Sequence, residues 1–289
     1  MKLAAPLIAL SLLAPHCWAG PLEDGDAALQ QGRYEEALAL LLPEAEKGEA
    51  FAQYNVALLY ARGLGTAVDE VEAVRWYTLA AEQGDLNATS NLGLMYSQGR
   101  GVGRDKARAA ELFMVAAEAG IGMAQNNLAS LYLSGEGVEQ NNHEAVRWFT
   151  LAAEQDVPMA QNSLGLLYCE GREGPKPIER DNDKCTYWLQ RAAALGYEPA
   201  LENVYTLTRA MADDGNLQAM HNAGALLLQG YGTEQNSVEG LQLITQAAEA
   251  GVENSQRVLV QIYERGAFGI APDAEKAAYW RAKLAEQAR

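Results

Sequence analysis

The sequence predicts an all-α chain: a solenoid of stacked helix–turn–helix hairpins. Three observations predict it. An eleven-residue stretch is written twice, AVRWYTLAAEQ at 73–83 and AVRWFTLAAEQ at 145–155, with ten of eleven residues identical and a 72-residue offset. The alanine that opens each short apolar segment recurs at Ala52, Ala88, Ala124 and Ala160, 36 residues apart each time, and Ala219 and Ser255 repeat that spacing. Glycine-rich turns (RGLG, QGRG, SGEG, QGYG) follow the short segments. A hairpin of this size cannot bury its own apolar face, so neighbours must stack to make a continuous core.

In chain order, residues 1–19 read as a secretory signal peptide. Lys2 supplies a positive start, Leu3 to Leu13 an apolar run, and Cys17 and Ala19 small residues before a cut after Ala19. The run is shorter than the roughly 20 residues that span a bilayer, and Ala14-Pro15-His16-Cys17 makes a poor lipoprotein box. No other stretch is apolar for long enough to span. The expectation is a periplasmic protein with no integral membrane segment in the mature chain.

Residues 20–48 read as an N-terminal hairpin that starts the stack, and 49–196 as four repeat units. In each unit a first helix (QYNVALLY, TSNLGLMY, QNNLASLY, QNSLGLLY) precedes the turn, and a longer second helix follows it. Val56 and Tyr60, four apart, share a face. Ala57, Gly93, Ala129 and Gly165 are small enough to let the two helices of a hairpin approach. Ala73, Tyr77 and Ala80 make the matching seam, and Gly63, Gly99, Gly135 and Gly230 stand where a helix end turns left-handed. The fourth unit is four residues longer, through GREGPKPIERDNDKC. Residues 197–216 read as an irregular single-helix junction, and 217–289 as two further units ending in a polar cap helix. Trp76, Trp148, Trp188 and Trp280 hold equivalent places on second helices and are expected in the core. Glu72–Arg75 and Glu144–Arg147, three apart, are expected as ion pairs.

The formal net charge of −16 repels phosphate backbones, so nucleic acid is excluded as the expected partner; a basic protein surface suits it. No catalytic constellation emerges. His143 and His221 lie in different units without a ligand at helical spacing, so no metal is expected. There is no G-x-S-x-G and no S-x-x-K. The G-x-G turns follow helices rather than strands, so no nucleotide cofactor is expected. Asp181-Asn182-Asp183 lacks the central Gly and closing Glu of a calcium loop. The reading is no enzyme and no cofactor; the alternative is a cell-wall-active enzyme, a peptidoglycan hydrolase or a β-lactam-binding protein. The mature chain keeps Cys169 and Cys185. They fall on facing surfaces of one hairpin, and an even count in an exported chain points to a disulfide.

The pattern A-x-x-N-L-G-x-x-Y-x-x-G-x-G followed by A-V-R-W-[YF]-x-x-A-A-E-x-G resembles the Sel1-like repeat family, a relative of the tetratricopeptide repeats, over roughly residues 50–289. The resemblance implies a right-handed superhelix whose first helices line a concave face. Matching positions by unit places Tyr54, Ser90, Asn126, Asn162, His221 and Arg257 outward in that groove, with Leu58, Leu94, Ser130 and Leu166 one turn on. Phe51, Asn87, Met123 and Met159 stand just before them. The recurring Asn55, Asn91, Asn127 and Asn222 are expected to bond backbone between adjacent units. The implied function is a non-enzymatic protein–protein interaction scaffold that binds a partner protein or peptide, in roles such as envelope assembly, exopolysaccharide export or signalling regulation.

Overall fold

The structure, a computed structural model, describes residues 20–174 and 176–287. The expected leader, residues 1–19, lies outside the described residues. Fifteen helices follow one another among those described, and no described helix is long and apolar enough to cross a membrane. They fall into two compact units, one ending at Ile121 and one starting at Gly122.

The first unit holds α1 (Pro21–Gln30) and α2 (Tyr34–Glu46), the starting hairpin. Then come α3 (Ala50–Arg62) with α4 (Glu70–Glu82), and α5 (Leu86–Gln98) with α6 (Lys106–Glu118). The α3–α4 and α5–α6 hairpins are closed by chemistry legible in the sequence. Asp69 caps α4 by accepting from the N–H of Val71 and Glu72, and Asp105 caps α6 through Arg108 N–H. Gly63 and Gly99 end α3 and α5 in the left-handed conformation. The seam is dry: Val56, Ala57, Ala73, Trp76, Tyr77 and Ala80 belong to one buried cluster. At Gly93 an added Cβ would lie 2.9 Å from the Phe113 ring, which is why only a small residue serves there.

The second unit holds α7 (Gly122–Ser134) with α8 (Asn142–Glu154), and α9 (Pro158–Glu170) with α10 (Asn182–Ala194). The single helix α11 (Glu198–Asp213) follows. Then come α12 (Leu217–Gln229) with α13 (Ser237–Glu249), and α14 (Glu253–Arg265) with α15 (Ala274–Gln287). Gly165 and Gly224 repeat the logic of Gly93, with an added Cβ 2.8 Å from Leu189 and 2.7 Å from Ile244. The long turn before α10 is pinned by the pair Arg172–Ile178. Cys169 at the end of α9 is bonded to Cys185 on α10, 16 residues on. Asp181, in the tripeptide weighed for calcium, caps α10 through Lys184 N–H at 2.9 Å. All four tryptophans of the second helices are buried. The pairs Arg75–Glu72 (3.0 Å) and Arg147–Glu144 (3.1 Å) form, and the same guanidinium groups lie over the rings of Trp76 and Trp148.

One expectation fails here. The recurring asparagines do not bond backbone across units. Asn55 donates to Phe51 O in its own helix, Asn91 to the Tyr77 hydroxyl, and Asn127 and Asn222 accept from the side chains of Asn126 and Gln218. Glutamine takes that role instead. Gln53, Gln161 and Gln256 follow the opening small residue and donate to Ala45 O, Ala153 O and Ala248 O, eight residues back in the last turn of the preceding helix. Each of these last-turn carbonyls also accepts a turn N–H, from Gly48, Asp156 and Gly251 at 3.1 Å, and the buried amide from the next helix adds a second bond. Gln161 is fully buried. Replacing it with Leu removes its bonds to Ala153 O and Asp156 while Asp156 N–H still meets that carbonyl, and is expected to cost about 1 kcal/mol, read as a lowered midpoint in urea denaturation.

Candidate interaction surface

The first helices carry the residues predicted to meet a partner, and each helix is fixed by its seam: Ala124, Leu128, Ala129 and Leu131 of α7, and Ala160, Leu164, Gly165 and Leu167 of α9, are buried. What remains on the other side of each helix is the candidate surface. In the first unit Tyr54, Leu58 and Leu94 are half-buried, and the Tyr54 ring packs against that of Tyr77 at 6.0 Å between centroids. Burial first, and then the neighbouring Tyr54, push the Tyr77 hydroxyl well above the usual phenol range. Tyr77 therefore stays protonated and works as packing.

In the second unit Ser130 and Arg257 are exposed, and Leu166 and His221 half-buried. Arg257 is paired with Glu253, its Nε 3.0 Å from the carboxylate.

Ser90, Asn126 and Asn162 are buried, at 6%, 7% and 9% relative exposure, and do not face outward as expected. Their short side chains stop at the neighbouring chain instead of reaching solvent. Asn162 accepts from Asn203 of α11 at 2.8 Å, and Asn126 donates to Asn127 and accepts Ser130 Oγ at its carbonyl. Asn162 thus links α9 to α11, Asn126 bonds within α7, and Ser90 is enclosed in the first unit. Of the residues expected to join the row at the helix starts, Phe51 of α3 and Met123 of α7 are each 44% exposed.

His221 Nδ1 and Ser255 Oγ lie 2.8 Å apart, linking α12 to α14. Burial lowers the His221 pKa below its ordinary value. The unfolded chain therefore takes up this proton at higher pH than the folded chain does. Stability from the neutral ring is complete above the ordinary imidazole value of about 6.5 and is lost as pH falls below it. His221→Gln is expected to lessen the drop in melting temperature between neutral pH and pH 5, measured by circular dichroism.

Among the described residues no group of three or more His, Cys, Asp or Glu is arranged to hold a metal ion. The first helices thus offer half-buried aliphatic side chains in the first unit, and aliphatic, hydroxyl and charged side chains in the second.

Six segments match the Sel1 repeat: residues 50–85, 86–121, 122–157, 158–197, 217–252 and 261–288. A protective antigen present in uropathogenic Escherichia coli strains, displaying an SLR fold, is 32% identical, with a TM-score of 0.54 over 86% of this chain. The present chain spans 56% of that antigen's length. A Sel1 repeat protein from Oxalobacter formigenes is 27% identical, with a TM-score of 0.56 over 93% of this chain and 100% of its own. No curated protein matches.

Proposed function

Because the chain belongs to the Sel1 repeat family, whose repeats mediate protein–protein interaction, we propose that it is a non-enzymatic scaffold of the periplasm. Its partner is a protein or peptide that lies along the first helices. The observation that carries the reading is the contrast within each hairpin. The seam residues repeat nearly unchanged and are buried, whereas the first-helix position held by Tyr54 becomes Ser90, Asn126, Asn162, His221 and Arg257 in the other repeats, with Leu58, Leu94, Ser130 and Leu166 one turn on. A wall needs only the seam; a varied row on a constant frame supports recognition. The leader-like first 19 residues and the disulfide support an exported location. A place in envelope assembly, exopolysaccharide export or signalling regulation fits that location.

The test is affinity capture from an envelope extract of the source organism. The bait is the chain from Gly20, and the control is Ser130→Arg with Arg257→Glu. Both positions are exposed, so the pair leaves the core untouched. A protein retained by the wild type and lost by the variant is the expected result. Equal retention by both would remove the first-helix row as the binding surface.

A further inference from the structure

The second unit contains a cavity where the period breaks. It measures about 180 Å³ and opens where α11 packs between α10 and α12. Two features of the sequence create it. The second-helix seam position filled by Tyr77, Phe113 and Phe149 in the earlier units is Leu189 in α10, so an aromatic ring is missing. And α11 is one helix where the array elsewhere supplies a hairpin. It buries only Ala200 and Ala212 of its sixteen residues, whereas α3, α5, α7 and α9 each bury six of thirteen. Its apolar side chains Val204, Leu207 and Met211 are therefore left lining the cavity with Leu189, and Met211 is 42% exposed. Thr186, Gln190, Thr208, Asn216, Gln218 and Asn222 add hydroxyls and amides to the same lining.

Two exposed carboxylates stand next to the lining in sequence: Asp183, three residues before Thr186, and Asp214, between Met211 and Asn216. From Asp181 to Asn216 the chain carries six carboxylates and three cations. All three cations are already committed: Lys184 to Asp181, Arg191 to Asp156, and Arg209 to Asp213 and Glu239. Among the described residues, Asp183 and Asp214 are left without a cation.

An apolar cavity of roughly 150 Å³ is large enough to admit a benzene ring. We propose that this cavity seats one aromatic or branched aliphatic side chain of a basic partner segment, with lysines or arginines flanking the anchor and the Asn216 and Asn222 amides meeting its backbone. One large buried anchor inside a polar rim is the usual layout of an energetic centre in an interface, and the unpaired carboxylates favour a cationic segment. The proposal rests on the scaffold reading and names the chemistry of its partner.

The test is selection of a random dodecapeptide display library on the full chain, followed by binding measurements on two variants. Val204→Phe fills the cavity. Met211→Lys, at an exposed position, leaves the fold intact and opposes a basic peptide. The expected result is an enriched motif with one large apolar residue flanked by Lys or Arg, bound at least tenfold more weakly by both variants. Enriched peptides without that motif, peptides bound equally by wild type and variants, or no enrichment would each overturn the pocket. The scaffold reading stands or falls separately. Envelope capture that survives Val204→Phe but is lost with Ser130→Arg and Arg257→Glu keeps the scaffold and removes the pocket.

Discussion

Gly101→Ala is expected to be the most damaging single substitution in the first unit, lowering stability by about 3 kcal/mol or more. The residue has φ +66°, and a Cβ added there would lie 2.0 Å from Glu70 O and 2.8 Å from Val71 N. The first contribution is conformational: an L-residue held left-handed costs roughly 1 to 2 kcal/mol. The second is steric, and forcing atoms into a close-packed contact costs about 1 to 3 kcal/mol more. The obstacle is backbone, which cannot rotate away as a side chain can. Gly65 and Gly232 repeat the arrangement, with an added Cβ 2.4 Å from Glu35 N and 2.1 Å from Leu201 O. In each case the second glycine of a turn lets the loop lie on the first turn of a preceding helix. Arg100, next to Gly101, reinforces the contact by bonding Glu70 at 2.6 Å and Ala61 O at 3.3 Å. Gly120→Ala separates the two contributions. Gly120 has φ +93° with nothing within 4 Å of the added carbon, so its expected cost is the conformational part alone, about 1 kcal/mol. Thermal unfolding of both variants gives the comparison. Equal losses would show that the turn does not dock as described.

Removing the disulfide through Cys169→Ala with Cys185→Ala is expected to lower stability by about 3 kcal/mol, from the constraint that a loop of this length places on the unfolded chain. The bond closes 16 residues of sequence around the longest turn in the array. Without it the 171–181 segment is held by the Arg172–Ile178 pair, the Asp181 cap and Arg180 on Glu170 O. For a chain of this size the expected fall in melting temperature is about 6 to 12 °C. A reducing agent should bring the wild type to the melting temperature of the double variant and leave the variant unchanged. Destabilisation should be confined to the second unit, read by hydrogen exchange of α9 and α10, because the bond lies wholly within that hairpin.

The fold was legible because a repeat states its own rules several times. The interval from Ala52 to Ala88 to Ala124 to Ala160 set the unit, the glycines set the helix ends, and Ala73, Tyr77 and Ala80 set the seam. All of these reappear in the structure as buried or left-handed positions. The site was less legible, since equivalence between units identifies a position but not the neighbour it meets. Ser90, Asn126 and Asn162 were placed outward by alignment with Tyr54, yet their short side chains are enclosed. A tyrosine is long enough to stay half-buried from the same position. The glutamine that bonds the preceding helix left a signal that was available: Gln53, Gln125, Gln161 and Gln256 all follow the small residue that opens the unit. The asparagines two positions on were the more conspicuous recurrence, and they carry less of the inter-unit bonding. The cavity beside α11 could not be read from spacing, because it arises where the period breaks and side-chain volume decides what is left open.

The account centres on the first-helix row as the surface that meets a partner. Hydrogen–deuterium exchange of the chain, free and saturated with the protein recovered by envelope capture, tests this most directly. The predicted result is slowed exchange in α7, α9, α12 and α14, with α8 and α13 unchanged. Protection confined to the second helices, or spread evenly over both helices of each hairpin, would contradict it.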